Sequence, residues 1–164
     1  LNSNTPLYIS DFNLRTPAKI NAGVSFIIGK HGFISADIEH LDYSNAHVSS
    51  GDFTTENDNS TISNLYKSVT NIKVGGEYRY NMFRLRAGYA TYGDPLGGFE
   101  GTDRSRKVIS FGGGINWGKY FLDLAYSTTS YNETFTSYGL STGGPQANIE
   151  NTIGKASISF GLNF

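Results

Sequence analysis

The chain has 164 residues, enough for one domain, and its 13 Lys and Arg against 14 Asp and Glu give a formal net charge of −1. That balance argues against nucleic acid as a partner, since phosphate binding needs a basic excess. The absence of cysteine excludes a disulfide framework and thiolate metal sites. Gly (20), Tyr (11) and Phe (11) are abundant beside one Met and one Trp, and no apolar run approaches the roughly 18 residues of a membrane helix.

In chain order, residues 7–14 read as part of a strand. The first full strand is "KINAGVSFII", where Ile20, Ala22, Val24, Phe26 and Ile28 recur with period two. After the turn "GKHG" (29–32) comes "FISADIEHLDY", less clean because His40 falls in the apolar phase. A polar stretch rich in Ser, Thr, Asn and Gly follows over residues 45–67. In "NIKVGGEYRY", Ile72, Val74, Tyr78 and Tyr80 alternate with Lys73, Glu77 and Arg79. The turn Asn81 and Met82 leads into "FRLRAGY", where Phe83, Leu85, Ala87 and Tyr89 alternate with Arg84 and Arg86. Beyond a second polar stretch, 93–105, lie "VISFGGGINW" (Ile109, Phe111, Ile115, Trp117), the turn Gly118 and Lys119, and "YFLDLAY" (Tyr120, Leu122, Leu124, Tyr126). A third polar stretch, 136–150, precedes the closing "KASISFGLNF", with Phe160, Leu162 and Phe164 on one side.

That makes about seven strands, joined alternately by tight turns and long polar loops. Several approach the roughly 9–11 residues that cross a bilayer at a tilt. The fold class expected is all-β: a transmembrane antiparallel up-and-down β-barrel, with residues 1–164 forming one barrel segment. Long loops are then extracellular and tight turns periplasmic, in a bacterial outer membrane.

Aromatics near the tight turns (Phe33, Tyr80, Phe83, Trp117, Tyr120, Phe164) and near the long loops (Tyr43, Tyr66, Tyr89, Tyr92, Tyr131) are expected to form two interfacial girdles. Charge sets the direction of the faces. Each Arg or Lys facing lipid at mid-membrane costs roughly 2–4 kcal/mol, so Lys73, Arg79, Arg84 and Arg86 together would cost on the order of 10 kcal/mol. They are expected in the lumen, pairing with Glu77, Asp37, Glu39 and Asp123, where they form a candidate ligand-binding ladder. Gly75, Gly112, Gly114 and Gly161 share that inward phase. Phe53, Leu65, Leu96 and Phe99 in the long loops are candidate apolar contacts for a ligand.

The closing aromatic strand resembles the signal by which the bacterial barrel-assembly machinery recognises its clients, with Phe160, Leu162 and Phe164 as the residues concerned. The segments "LRTPAKINAGVSF", "ADIEHLDYS", "VGGEYRY", "LRAGYATYGDP", "FGGGINW" and "LDLAYS", in this order, resemble the C-terminal half of the FadL/TodX family of outer-membrane transporters for long-chain fatty acids and other hydrophobic compounds. The resemblance implies a fourteen-strand parent barrel plugged by an N-terminal hatch, of which this chain would supply about seven to eight strands. It implies passive diffusion of a hydrophobic small molecule through a gated barrel, with outer-membrane lipid, the assembly machinery and the missing N-terminal half as partners, and no cofactor. The chain begins on Leu1 without a leader pattern, which reads as a processed or fragmentary protein.

Other chemistries find little support. His31, His40 and His47 lack metal-ligand spacing. "GGGINWG" sits inside a strand, away from any strand-to-helix junction. Asp52, Glu56 and Asp58 do not match a calcium loop, and no G-x-S-x-G elbow is present. No enzyme, catalytic residue or metal site is expected. Two alternatives to the transporter remain: a small eight-stranded outer-membrane barrel with a structural or adhesive role, which needs residues 7–14 to be a full strand, and a soluble lipid-binding barrel with its apolar face inside.

Overall fold

The computed structural model describes residues 9–138 and 144–162. Its strands are β1 (Asn13–Arg15), β2 (Lys19–Ile28), β3 (Gly32–Asp42), β4 (His47–Ser49), β5 (Ser68–Tyr80), β6 (Phe83–Tyr92), β7 (Arg106–Trp117), β8 (Tyr120–Thr136) and β9 (Gln146–Leu162), with one helix, α1 (Glu56–Leu65). Seven strands form one antiparallel meander in the order β2-β3-β5-β6-β7-β8-β9, and β1 with β4 forms a separate two-stranded ribbon. The chain is all-β in class. The sheet is open among the described residues, because β2 and β9 each pair on one side only.

The register settles the faces. Asp37 lies opposite both Gly23 and Lys73, Glu77 opposite Arg86, Arg86 opposite Gly112, and Asp123 opposite Gly114 and Ser159. Since directly paired residues share a face, the charged phase of every strand falls on one side and the apolar phase on the other. The alternation in the sequence therefore holds through the middle of the seven strands and breaks toward their ends, where Phe33 takes the polar phase and Lys107 the apolar one; His40 lies on the apolar side as its phase requires, with Nδ1 3.2 Å from Thr70 Oγ1.

The tight turns follow from their residue types. Asn81 (φ 52°) and Gly118 (φ 63°) open the two-residue turns in the left-handed region, which Gly and Asn tolerate best. The turn after β2 is closed by His31 N–H donating to the Ile28 carbonyl at 2.9 Å.

Four expectations need correction. The stretch 45–67 contains α1, although its sequence "ENDNSTISNL" has no apolar period and no buried residue. Glu56 and Asp58 favour its first turn through the helix dipole, and the Asn59 side chain ties it to β4 through the amide and carbonyl of Val48, each at 2.8 Å. The stretch 136–150 is ladder at both its ends: β8 and β9 run 17 residues each, so Thr136 and residues 146–150 are strand, paired out to Thr136 and Gln146. Residues 9–14 give no full strand, only the start of β1, paired with β4 away from the main sheet; Leu7 and Tyr8 lie outside the described residues.

The girdles are the fourth correction. Tyr80, Phe83, Trp117, Tyr120 and Phe160 do line the apolar face beside the tight turns, with Tyr120 stacked between Trp117 (6.3 Å) and Phe160 (6.1 Å). Phe33, by contrast, shares the phase of Asp37 and turns to the polar face. At the loop end Tyr92 and Tyr131 are in register with each other through Arg106, on the polar face. Tyr43 sits in a 3-10 turn and Tyr66 caps α1. Only Tyr89 of that expected set remains on the apolar face, joined there by Tyr126.

Candidate functional site

On the polar face the charged side chains form a chain of contacts across the sheet. Lys19 on β2 pairs with Glu39 on β3 at 2.8 Å, and Asn71 on β5 donates to the same carboxylate at 2.9 Å. Lys73 approaches Asp37 at 3.8 Å. Glu77 receives Nε of Arg79 on one oxygen and Nε of Arg86 on the other, the latter at 2.5 Å. Arg86 continues through Nη1 to Asp123 on β8 at 2.7 Å. Glu77 is the hub: its side chain is 7% exposed, and two guanidiniums offset the cost of burying it.

Three of the four predicted cations thus sit in ion pairs. Arg84 does not, among the described residues. It lies directly opposite Arg79 across the tight turn, so two guanidinium-bearing residues face each other, and Glu77 engages Arg79 of the two.

Nearer the long loops the polar face opens into a vestibule of about 560 Å³, lined by Val69, Asn71, Tyr92, Arg106, Tyr131 and Ile153 among others. Val69 and Asn71 are each 6% exposed. The Arg106 guanidinium lies 4.4 Å from the Tyr92 ring centroid and the Lys73 ammonium 5.9 Å from it, so one aromatic ring serves two cations. Arg106 was missed in the sequence because its strand was read as starting at Val108; in phase with Arg84 and Arg86, it belongs to the same face.

Above this, α1 and residues 93–105 enclose a cleft of about 870 Å³. It brings together Leu65, Leu96 and Phe99, three of the four predicted loop contacts, and leaves out Phe53. The loops are docked by Lys67 N–H donating to the Pro95 carbonyl at 2.8 Å. The Asp94 carboxylate organises the second loop, accepting the amides of Leu96 (2.9 Å), Gly98 (2.8 Å) and Arg104 (3.2 Å). Burial alone would raise the Asp94 carboxyl, but these amides, with the Arg104 charge, hold it below its ordinary value.

Phe160 and Leu162 stand on the apolar face of β9, and Phe164 lies outside the described residues. Among the described residues no cluster of His, Asp and Glu could hold a metal ion, and no helix is long and apolar enough to cross a membrane. A scan against family models finds no match for the chain, and a search of curated proteins finds none either.

Proposed function

We propose that this chain is part of the wall of a bacterial outer-membrane barrel that passes hydrophobic small molecules, long-chain fatty acids among them. The observation that carries the membrane reading is an inverted polarity. Leu85, Phe111 and Ile158 are 63, 61 and 70% exposed, while the buried or nearly buried side chains include Asn71, Glu77 and Thr102. In water each such apolar residue forgoes about 1.5–3 kcal/mol of burial; against lipid tails that loss disappears. A soluble lipid-binding barrel would need the reverse arrangement.

The dimensions agree. On β7 the apolar phase runs from Ile109 to Trp117, eight steps or about 27 Å along the strand, and so about 20 Å of height at a tilt of ~40°. Above it a row of polar partners, Thr91, Lys107, Ser130 and Thr152, crosses four strands in register.

Closure argues for more wall than these seven strands. β2 runs toward the turn at 29–31 and β9 returns toward the same end as the other tight turns, so the two edges point the same way. Antiparallel closure therefore takes an odd number of further strands, which fits the likeness to the fourteen-strand FadL/TodX transporters. The eight-stranded alternative loses its extra strand, since β1 pairs with β4.

In this reading an apolar ligand is captured at the cleft of Leu65, Leu96 and Phe99, passes the vestibule beside Arg106, and diffuses along the ion-paired face. The test is uptake of labelled oleate by cells making the full-length protein, with membrane fractionation in parallel. Uptake above vector controls and extraction only by detergent are expected; a monodisperse monomer in detergent-free buffer would overturn the proposal.

A further inference from the structure

At the rim of the sheet beside the tight turns, the polar face holds a cavity of about 400 Å³ lined by Lys30, His31, Arg79, Arg84 and Asn116 among others. Register puts its walls on one side. Arg84 lies opposite both Arg79 and Gly114, and Asn116, two residues beyond Gly114 on β7, shares their phase. The turn 29–31 is held against β5 by Arg79 N–H donating to the His31 carbonyl at 2.6 Å, which brings Lys30 to the same cavity. The charge there is one-sided, since none of the lining residues is a carboxylate. Glu77 and Asp123, the acids in the adjoining register, are already engaged, Glu77 by Arg79 and Arg86 and Asp123 by Arg86. Lys30 and Arg84 enter no ion pair among the described residues.

We infer that this cavity seats the carboxylate head of a single-chain amphiphile at the tight-turn end of its passage, with Arg84 as the bidentate partner and Lys30 as the second cation. The inference rests on the passage of hydrophobic small molecules proposed above and names the head group at which such a ligand is held. A guanidinium is a planar fork that matches a carboxylate through two parallel hydrogen bonds, and an ammonium adds a point charge. The wall beside the cavity leaves room for the tail. Two cross-strand rows nearer the long loops, the polar face reads Ser25, Ser35, Gly75, Gly88, Ser110 and Ser127, six strands in register with nothing larger than serine. Arg84 to Gly88 is four steps along β6, about 13 Å and within reach of a long acyl chain. A free inorganic anion would answer the cations without using that row.

The experiment uses the full-length protein in a neutral detergent and measures equilibrium binding of radiolabelled oleate and of oleyl alcohol, two probes with the same tail and different heads. Heat-modifiable migration on gels reports the folding of each variant separately. Wild type should bind oleate about tenfold more tightly than the alcohol, the ratio of roughly one charge-assisted hydrogen bond. Arg84→Gln, and Lys30→Gln in its exposed turn, should each remove most of that preference and leave alcohol binding unchanged. Lys107→Gln, which removes a cation from the opposite face, should keep the preference. Its retention by both folded cavity variants, or its loss together with alcohol binding, overturns the seat. So does a preference abolished by millimolar inorganic phosphate, which assigns the cavity to a free anion, or a wild type that binds both probes equally, as when an acidic segment of the protein fills the cavity. Each of these results leaves the passage of hydrophobic molecules standing. Failure of folded wild type to bind either probe overturns both.

Discussion

Arg86 on β6 reaches across β7 to Asp123 on β8, Nη1 to Oδ1 at 2.7 Å, and the strand it crosses offers only glycine there. Gly112 lies opposite Arg86 and Gly114 opposite Asp123. A Cβ at Gly114 would collide with the Asp123 carboxylate. Two of the three glycines of "FGGGINW", Gly112 and Gly114, are thus explained by the Arg86–Asp123 contact that spans them, whereas Gly113 lies on the apolar face between Leu85 and Leu124. Gly114→Val should destabilise the folded protein by about 1–3 kcal/mol through overpacking, read from the urea midpoint of the detergent-solubilised protein. An unshifted midpoint would show that Asp123 moves aside at no cost.

Glu77 is more consequential, because two cations depend on it. Glu77→Gln leaves Arg79 and Arg86 without their shared charge. Breaking a buried pair costs about 3–5 kcal/mol; since Arg79 and Arg86 are 48 and 37% exposed, water recovers part of that and a loss of about 2–3 kcal/mol is expected. Asp123→Asn, touching Arg86 alone, should cost less. The same unfolding titration checks the order of the two variants.

Which face meets lipid can be decided by placing a charge on one face of β6 or on the other. Leu85→Lys should reduce assembled barrel sharply, by about 2–4 kcal/mol for a cation at mid-membrane. Ala90→Lys, on the polar face of the same strand, should cost only about 0.5 kcal/mol, from the like charge of Lys73 opposite it. Equal losses would remove the polarity argument.

Much of this arrangement was legible in the residues and some was not, for physical reasons. Period two fixes a face only while one side is apolar, so β5, β6 and β7 could be phased from Ile72, Leu85 and Phe111. Beyond Tyr126, β8 and β9 carry Thr, Ser and Asn on the outward phase, and the ladder continues without a hydrophobic signal to announce it. Helix α1 was hidden for a related reason: Ser, Thr and Asn compete with the backbone for hydrogen bonds, and this helix depends on docking through Asn59 to β4. Aromatic type suggested a girdle for Phe33, Tyr92 and Tyr131, yet phase overruled type. The ion partners Asp37 and Asp123 were expected from their phase, whereas Glu39, expected beside the same four cations, pairs with Lys19 instead. That Arg84 alone of the four cations lacks an ion pair among the described residues depends on register, which the sequence does not carry.

Acid should loosen the second loop before the sheet. The Asp94 carboxyl is depressed in the folded protein, so its contribution is present above the ordinary carboxyl value, about 3.9, and is lost as pH falls through the lower folded value. Pepsin cleavage near Phe99 should therefore rise between about pH 5 and pH 2 in the wild type relative to Asp94→Asn, compared at each pH to cancel the change in protease activity. A constant ratio would mean that the three amides are held by something other than the Asp94 charge.

Arg84 offers the sharpest division between a wall and a binding surface. Its neighbours Arg79 and Arg86 are engaged by Glu77, so neutralising either disturbs the hub and confuses folding with function. Arg84 has no such tie, and it is half-buried beside Lys30 and Asn116. Arg84→Gln removes a like-charge confrontation with Arg79, and folded stability should hold or rise by up to about 0.5 kcal/mol. If the polar face handles carboxylated ligands near the tight turns, oleate uptake should nevertheless fall severalfold, while uptake of an uncharged hydrocarbon of similar length should not. Loss of both would place the defect in the wall, and loss of neither would assign Arg84 to the rim alone.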